Sequence, residues 1–144
     1  MTERQHLISQ LMAHEGLRLK PYTDAVGKLT IGVGRNLTDK GLSSQEAMLL
    51  LDHDVDEAVT DCATFPWFVT LDSVRQRAIV DLRFNLGPGG FRLFKHLIAA
   101  MAQQDYTRAA RELVASKWFG QVGPTRAAHL RAMLETGVDD EQLD

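Results

Sequence analysis

Glu15-Gly16-Leu17-Arg18-Leu19-Lys20-Pro21-Tyr22-Thr23-Asp24, with Gly27-Lys28-Leu29-Thr30-Ile31-Gly32-Val33-Gly34 soon after, decides the fold, because the hydrophobic period changes inside it. Before this stretch, Leu7, Ile8, Leu11 and Met12 recur at helical spacing. Thr2 and Gln5 form a capping box at the start of that helix. Gly16 stops it, since a residue without Cβ accepts the positive φ of a helix end at no steric cost. Glu15 then falls at the last helical position, on or beside the buried face. From Leu17 the period is two, with Leu17 and Leu19 set against Arg18 and Lys20. Asp24 to Gly27 supplies a turn, and Leu29, Ile31 and Val33 alternate with Thr30, Gly32 and Gly34, which predicts a β-hairpin. One face of its second strand is apolar, and the other carries a hydroxyl and two glycines. Glycine in a strand often marks a close approach by a ligand or another backbone.

Outward from the hairpin, the strand signals stop past Asn36. Ser43 and Glu46 make a second capping box, opening a long helix through Ala47, Leu50, Leu51, Val55 and Val59, which Pro66 and Trp67 break. Asp72 opens a helix with Val74, Ala78, Ile79 and Leu82 inside, ending near Gly87-Pro88-Gly89-Gly90. Apolar patterns follow over Phe94 to Met101 and Tyr106 to Val114. Pro124 suits a first helical turn and Gly137 a helix end. The tail from Asp139 to Asp144 reads as frayed. No repeat or low-complexity tract interrupts this order.

At 144 residues, with 44% hydrophobic and 24% charged side chains, the chain is one domain able to bury a core, with two lobes. The single cysteine, Cys62, excludes an internal disulfide framework and a multi-cysteine zinc site. No run approaches the length of a membrane span. The polar N-terminus, with no signal-peptide apolar region, predicts that the protein remains in the cytoplasm until something else releases it. A net charge of −3 argues against nucleic acid as a partner.

The chemistry-bearing residues of the opening stretch are Glu15, Asp24 and Thr30. Two carboxylates and a hydroxyl held close together are the minimum equipment for acid/base cleavage of a glycosidic bond. A carboxyl at a helix C-terminus meets partial negative charge, and partial burial acts in the same direction, so Glu15 is expected to retain the proton a general acid needs. Aspartate is at home in turns, where it bonds its own backbone; its functional reading requires the ionised form, in a wetter place than Glu15. Threonine is an ordinary strand former, and its functional reading is to position a water. Order and spacing carry the inference, since none of the three signals is strong alone.

Glu15-Gly16-Leu17-Arg18-Leu19-Lys20, Tyr22, Asp24 and Thr30-Ile31-Gly32-Val33-Gly34 resemble the active-site hairpin of the phage lysozymes, the muramidases. Asp54 to Val59 is similar to that family's long helix, Phe84-Asn85-Leu86-Gly87 to a helix end facing its cleft, and Ser116-Lys117-Trp118-Phe119 with Pro124 and Arg126 to a late family block. The resemblance implies an α+β, predominantly helical, two-lobed fold. Lobe 1 would cover about residues 13–50, and lobe 2 about residues 65–138 plus the helix at 2–14, with the cleft between them. It also implies hydrolysis of the β-1,4 bond between N-acetylmuramic acid and N-acetylglucosamine in peptidoglycan, with inversion and without metal or other cofactor. Glu15 would be the general acid, Asp24 the carboxylate that activates water, and Thr30 its positioning partner. Arg126 would pair with Glu15, and Asn85, Gln121, Gly32 and Tyr22 would line the substrate site, while Trp118 anchors the core of its lobe. An endolysin acting with a holin, as a monomer, is the implied setting.

Three positions depart from the family pattern. Leu37 to Gly41 leaves no room for an extra short helix, Arg35 stands where relatives place an ion-paired histidine, and the loop from Gly120 to Pro124 is one residue longer. Asp52, Asp54 and Asp56 begin like a calcium loop, but Glu57 and Ala63 occupy its glycine and glutamate positions, so a solvated helix face is expected. The five histidines lack ligand spacing, and no metal is predicted. Cys62 reads as a buried small residue. A catalytically silent glycan-binding or scaffold module of the same fold, and an enzyme acting on chitin, are the competing functional readings.

Overall fold

The computed structural model describes residues 1–139. It is α+β and predominantly helical, as expected, with seven α-helices among the described residues and one three-stranded antiparallel sheet. The chain divides into two compact units, Met1–Leu50 and Leu51–Asp144.

The first unit opens with α1 (Glu3–Glu15), capped as its sequence demands: the Thr2 hydroxyl accepts from the Gln5 amide, and the Gln5 side chain accepts from the Thr2 amide. Gly16 ends it at φ 75°, and its amide closes the last turn onto the Met12 carbonyl. β1 (Arg18–Thr23), β2 (Leu29–Gly32) and β3 (Arg35–Asn36) follow in spatial order β1-β2-β3, so Thr30 lies on the central strand between Tyr22 and Asn36. Strand β3 is a correction to the expected two-stranded hairpin; two residues are too few to show a period.

Burial in this unit does not follow side-chain hydrophobicity. Leu29 and Val33, on the apolar face of the second strand, are 45% and 38% exposed, whereas Thr30 on the other face is 4% exposed. Likewise α1 buries none of its residues, and Leu7, Ile8, Leu11 and Met12 are all exposed. Glu15 is exposed with them, not partly buried as its position implied. A twelve-residue sheet offers too little surface to cover a thirteen-residue helix.

The boundary between the units falls within α2 (Ser44–Cys62). Its entry is the second capping box, with the Ser43 amide donating to Glu46 Oε1 at 2.9 Å and the Glu46 amide to Ser43 Oγ at 3.1 Å. Arg35 grips the same carboxylate with both terminal nitrogens and also reaches the Gly41 carbonyl. This guanidinium, then the Ser43 amide, holds the Glu46 carboxyl down at about 2. Arg35 thus makes a bidentate ion pair with Glu46.

The second unit contains α3 (Ser73–Arg92), α4 (Lys95–Ala102), α5 (Tyr106–Val114), α6 (Lys117–Gln121) and α7 (Pro124–Thr136). The helix opened by Asp72 ends at Gly87 as expected, where φ of 77° and ψ of 169° leave the helical region, and a second helical segment with Pro88 at its start follows directly and completes α3 to Arg92. Here the core forms, around Ile79, Leu82, Phe91, Leu97, Leu113 and Leu130, each 1% exposed or less. α7 packs on α3 and α5 and stops at Gly137, whose φ of 69° is left-handed as its position predicts.

Arginines fasten this unit. Arg75 donates to the carbonyls of Leu134 and Glu135 at 2.7 and 2.8 Å, satisfying orphan acceptors at the end of α7. Arg83, buried, donates to Asp61 Oδ2 at 2.8 Å, and Arg92 spans both Asp61 oxygens at 3.0 and 2.7 Å. Arg92, then Arg83, holds the Asp61 carboxyl at about 2, against burial, which pushes the other way. Cys62 is fully buried beside them, and burial raises its thiol to about 11. Asp139 is not frayed: it bridges Arg77 at 2.8 Å and His129 at 2.9 Å. The remainder of the expected frayed tail, residues 140–144, lies outside the described residues.

Candidate active site

Glu15, Asp24 and Thr30 all belong to the first unit. Glu15 is the last residue of α1, and its side chain lies over the turn between β2 and β3. A Cβ built on Gly34 would stand 2.8 Å from Glu15 Oε2 and 2.9 Å from its Cδ. Gly34 also has φ of 67°, where L side chains are strained. The positive φ favours glycine at 34, and the short approach places the Glu15 carboxyl against the backbone of the hairpin. The expected close approach by a ligand or backbone at these glycines is thus met, at Gly34, by a side chain of the same unit.

Asp24 opens the turn between β1 and β2. Its Oδ1 accepts from the amides of Val26 and Lys28 at 2.9 and 2.8 Å, while its own amide donates to the Lys28 carbonyl at 2.9 Å. This is the aspartate turn that the sequence predicts. One oxygen is consequently fixed by the backbone, and Oδ2 takes no hydrogen bond among the described residues. Thr30 directs its hydroxyl proton to the Lys28 carbonyl at 2.9 Å, leaving oxygen lone pairs as acceptors. Lys28 therefore ties the two together, its amide to Asp24 and its carbonyl to Thr30. Tyr22 is paired with Thr30 across the strands, and Gly32 with Arg18. The Tyr22 ring carries the Arg18 guanidinium at 4.3 Å from its centroid.

Asn85, Gln121 and Arg126 belong to the second unit. Asn85 Oδ1 accepts from the Trp118 indole at 2.7 Å, and Trp118 is 7% exposed, so the tryptophan anchors its unit as expected. Gln121 closes α6 and lines a groove of about 490 Å³ with Trp118, Phe94, Glu112 and Lys117. The resemblance pairs Arg126 with Glu15; in the structure its guanidinium is held by Asp81, with Nε 2.9 Å and Nη2 2.5 Å from Oδ1. Arg126 and Asp81 border an apolar groove of about 580 Å³. Two residues escaped the sequence reading as parts of the site, Gly34 as the seat of Glu15 and Arg18 as the partner of Tyr22. The glycine signal was visible, though not what approaches it. The arginine carried no signal beyond its charge.

Among the described residues, no three of the His, Cys, Asp and Glu side chains gather as metal ligands, and no helix is long and apolar enough to cross a membrane.

A profile of the phage lysozyme family matches residues 12–131. The probable T4-type lysozyme 1 of Dictyostelium discoideum is 25% identical over 154 positions, spanning 86% of this chain and 90% of its own. The probable T4-type lysozyme 2 of the same organism is 27% identical over 162 positions, spanning 92% and 95%. The pre-baseplate central spike protein Gp5 of Enterobacteria phage T4 is 26% identical over 160 positions, covering 91% of this chain but 28% of the spike protein.

Proposed function

This chain belongs to the phage lysozyme family, and on that premise we propose that it cleaves the β-1,4 bond between N-acetylmuramic acid and N-acetylglucosamine with Glu15 as general acid and Asp24 as the group that activates water. It is a glycoside hydrolase of the lysozyme type, with peptidoglycan as its substrate.

Glu15 protonates the glycosidic oxygen as the bond to C1 breaks, supplying the leaving group with its hydrogen. Asp24 draws a proton from a water through the oxygen that the turn leaves open, and the water attacks C1 from the opposite face. Thr30 accepts from that water and fixes its line of approach. No metal enters this scheme. Tyr22 and the open backbone at Gly32 border the sugar. The protein acts as a monomeric endolysin, waiting in the host cytoplasm until a holin opens the way to the wall.

The observation that carries this reading is the seating of the Glu15 carboxyl on Gly34, which ties the end of α1 to the hairpin bearing Asp24 and Thr30. Turbidity clearing of Gram-negative cells stripped of their outer membrane tests it. The wild type clears and Glu15→Gln does not; equal clearing by both would remove Glu15 from the chemistry, and clearing by neither would favour a silent module of the same fold.

A further inference from the structure

Arg18 differs from most arginines of the chain. Arg35, Arg77, Arg83, Arg92, Arg126 and Arg131 each hold a carboxylate. Arg18 is exposed and makes no hydrogen bond or ion pair among the described residues, yet its guanidinium lies over the Tyr22 ring, 4.3 Å from the centroid. A guanidinium whose only partner is a ring face keeps its N–H donors available, and their planar fork matches a carboxylate in a bidentate manner. The ring restricts the side chain beforehand, so less freedom is lost when an anion arrives.

The strand itself arranges this. The pairing of β1 with β2 is irregular between Arg18 and Tyr22, where β1 carries extra residues, and such bulges re-aim side chains. Tyr22 is opposite Thr30, and Arg18 is opposite Gly32, so the guanidinium is on the same ladder as the threonine assigned to position water. A Cβ at Gly32 would meet nothing within 4 Å, which leaves open space beside the arginine. The overall charge of −3 gives no general attraction for an acidic polymer, so a local cation has that work to do.

We propose that Arg18, seated on Tyr22, binds a carboxylate carried by the glycan strand and makes the enzyme prefer acidic, muramoyl-containing strands to neutral N-acetylglucosamine polymers. The inference rests on the hydrolase reading above and deepens it by naming what the site selects. The carboxylate has two possible sources of the same chemistry, the lactyl ether of muramic acid and the stem peptide.

The test compares wild type, Arg18→Gln and Arg18→Lys on soluble peptide-bearing strands, on strands stripped of peptide so that the lactyl carboxylate is free, and on N-acetylglucosamine oligomers. In Arg18→Gln the ratio of kcat/KM for at least one of the two acidic strands to that for the neutral oligomer falls about 3–10-fold, through KM and not kcat, and the loss shrinks as salt is raised. Arg18→Lys recovers part of it, keeping charge but losing the planar fork. A fall for stripped strands alone assigns the lactyl carboxylate, which is an amide wherever a peptide is attached; a fall for peptide-bearing strands alone assigns a stem-peptide carboxylate, and a fall for both shows that the arginine accepts either. The same comparison is read as strand binding in a Glu15→Gln background, which judges Arg18 independently of turnover. An unchanged ratio and unchanged binding overturn the role of Arg18 while leaving the hydrolase intact. A wild type that releases reducing ends from no strand overturns the hydrolase reading, and the binding measurement still decides the arginine.

Discussion

The two units of this chain divide the labour between chemistry and cohesion. The first, Met1–Leu50, holds both carboxylates and the threonine of the candidate site, yet Thr30 is its one buried side chain among the described residues. The second, Leu51–Asp144, holds the core and an arginine network that satisfies carboxylates and helix ends. The contrast teaches that the groups able to act on a substrate are fixed here by local backbone devices, a helix stop, an aspartate turn and a glycine seat. Stability is concentrated elsewhere.

That contrast can be broken by substitutions that fall on one side of it. Glu15→Gln has the largest expected effect on activity, a loss of about 10²–10⁴-fold in hydrolysis. Because the side chain is exposed, the melting temperature moves little, and a large drop in stability would show that the first unit depends on this carboxyl for its fold. Leu82→Ala is its mirror. Leu82 is 1% exposed in the core of the second unit, so about 2–5 kcal/mol of stability is lost in chemical denaturation, while the folded fraction hydrolyses strands at nearly the wild-type rate.

Gly34→Ala sharpens the comparison, because it adds one methyl group to the seat of Glu15. The new Cβ meets Oε2 at 2.8 Å and the backbone sits at φ of 67°. The carboxyl must move, and a displacement of about 1 Å is expected to lower kcat on the order of 10²-fold, with about 1 kcal/mol of backbone strain. Wild-type kcat in this variant would contradict the seat.

The smallest effect is a pH dependence confined to the second unit. The Asp61 carboxyl is lowered to about 2, first by Arg92 and then by Arg83, from an ordinary value of 3.8. A lowered value contributes stability that is present above the ordinary value and disappears as pH falls towards 2. At about 1.4 kcal/mol per pH unit the contribution is about 2 kcal/mol. Thermal melts should show Asp61→Asn less stable than wild type above pH 4, with the two curves converging near pH 2. A constant gap across that range would remove the charge network from the account.

Much of the architecture was legible because it rests on contacts between near neighbours. The boxes Thr2/Gln5 and Ser43/Glu46, the turn at Asp24 and the stops at Gly16 and Gly137 all involve residues within four positions of each other, and all are present. The choice of buried face on β2 was not legible, since alternation shows that two faces differ without saying which one packing selects. Nor were the partners of the arginines. Arg75 meets Leu134 across 59 positions, Arg126 meets Asp81 across 45 and Arg83 meets Asp61 across 22. Such pairings follow from helix packing, to which local pattern is blind. Within the site, Glu15, Asp24 and Thr30 could be picked out from residue type and family likeness, whereas the contact of Glu15 with Gly34 requires the turn to be built.

The central claim is that water activated by Asp24 displaces a leaving group protonated by Glu15 in a single step. Proton NMR of the reducing ends released from soluble strands, recorded before mutarotation, tests it directly. Single displacement at a β-linked C1 yields the α-anomer first, and Asp24→Asn abolishes its release. Initial appearance of the β-anomer would contradict the account, because retention requires a glycosyl-enzyme intermediate and makes position 24 a nucleophile.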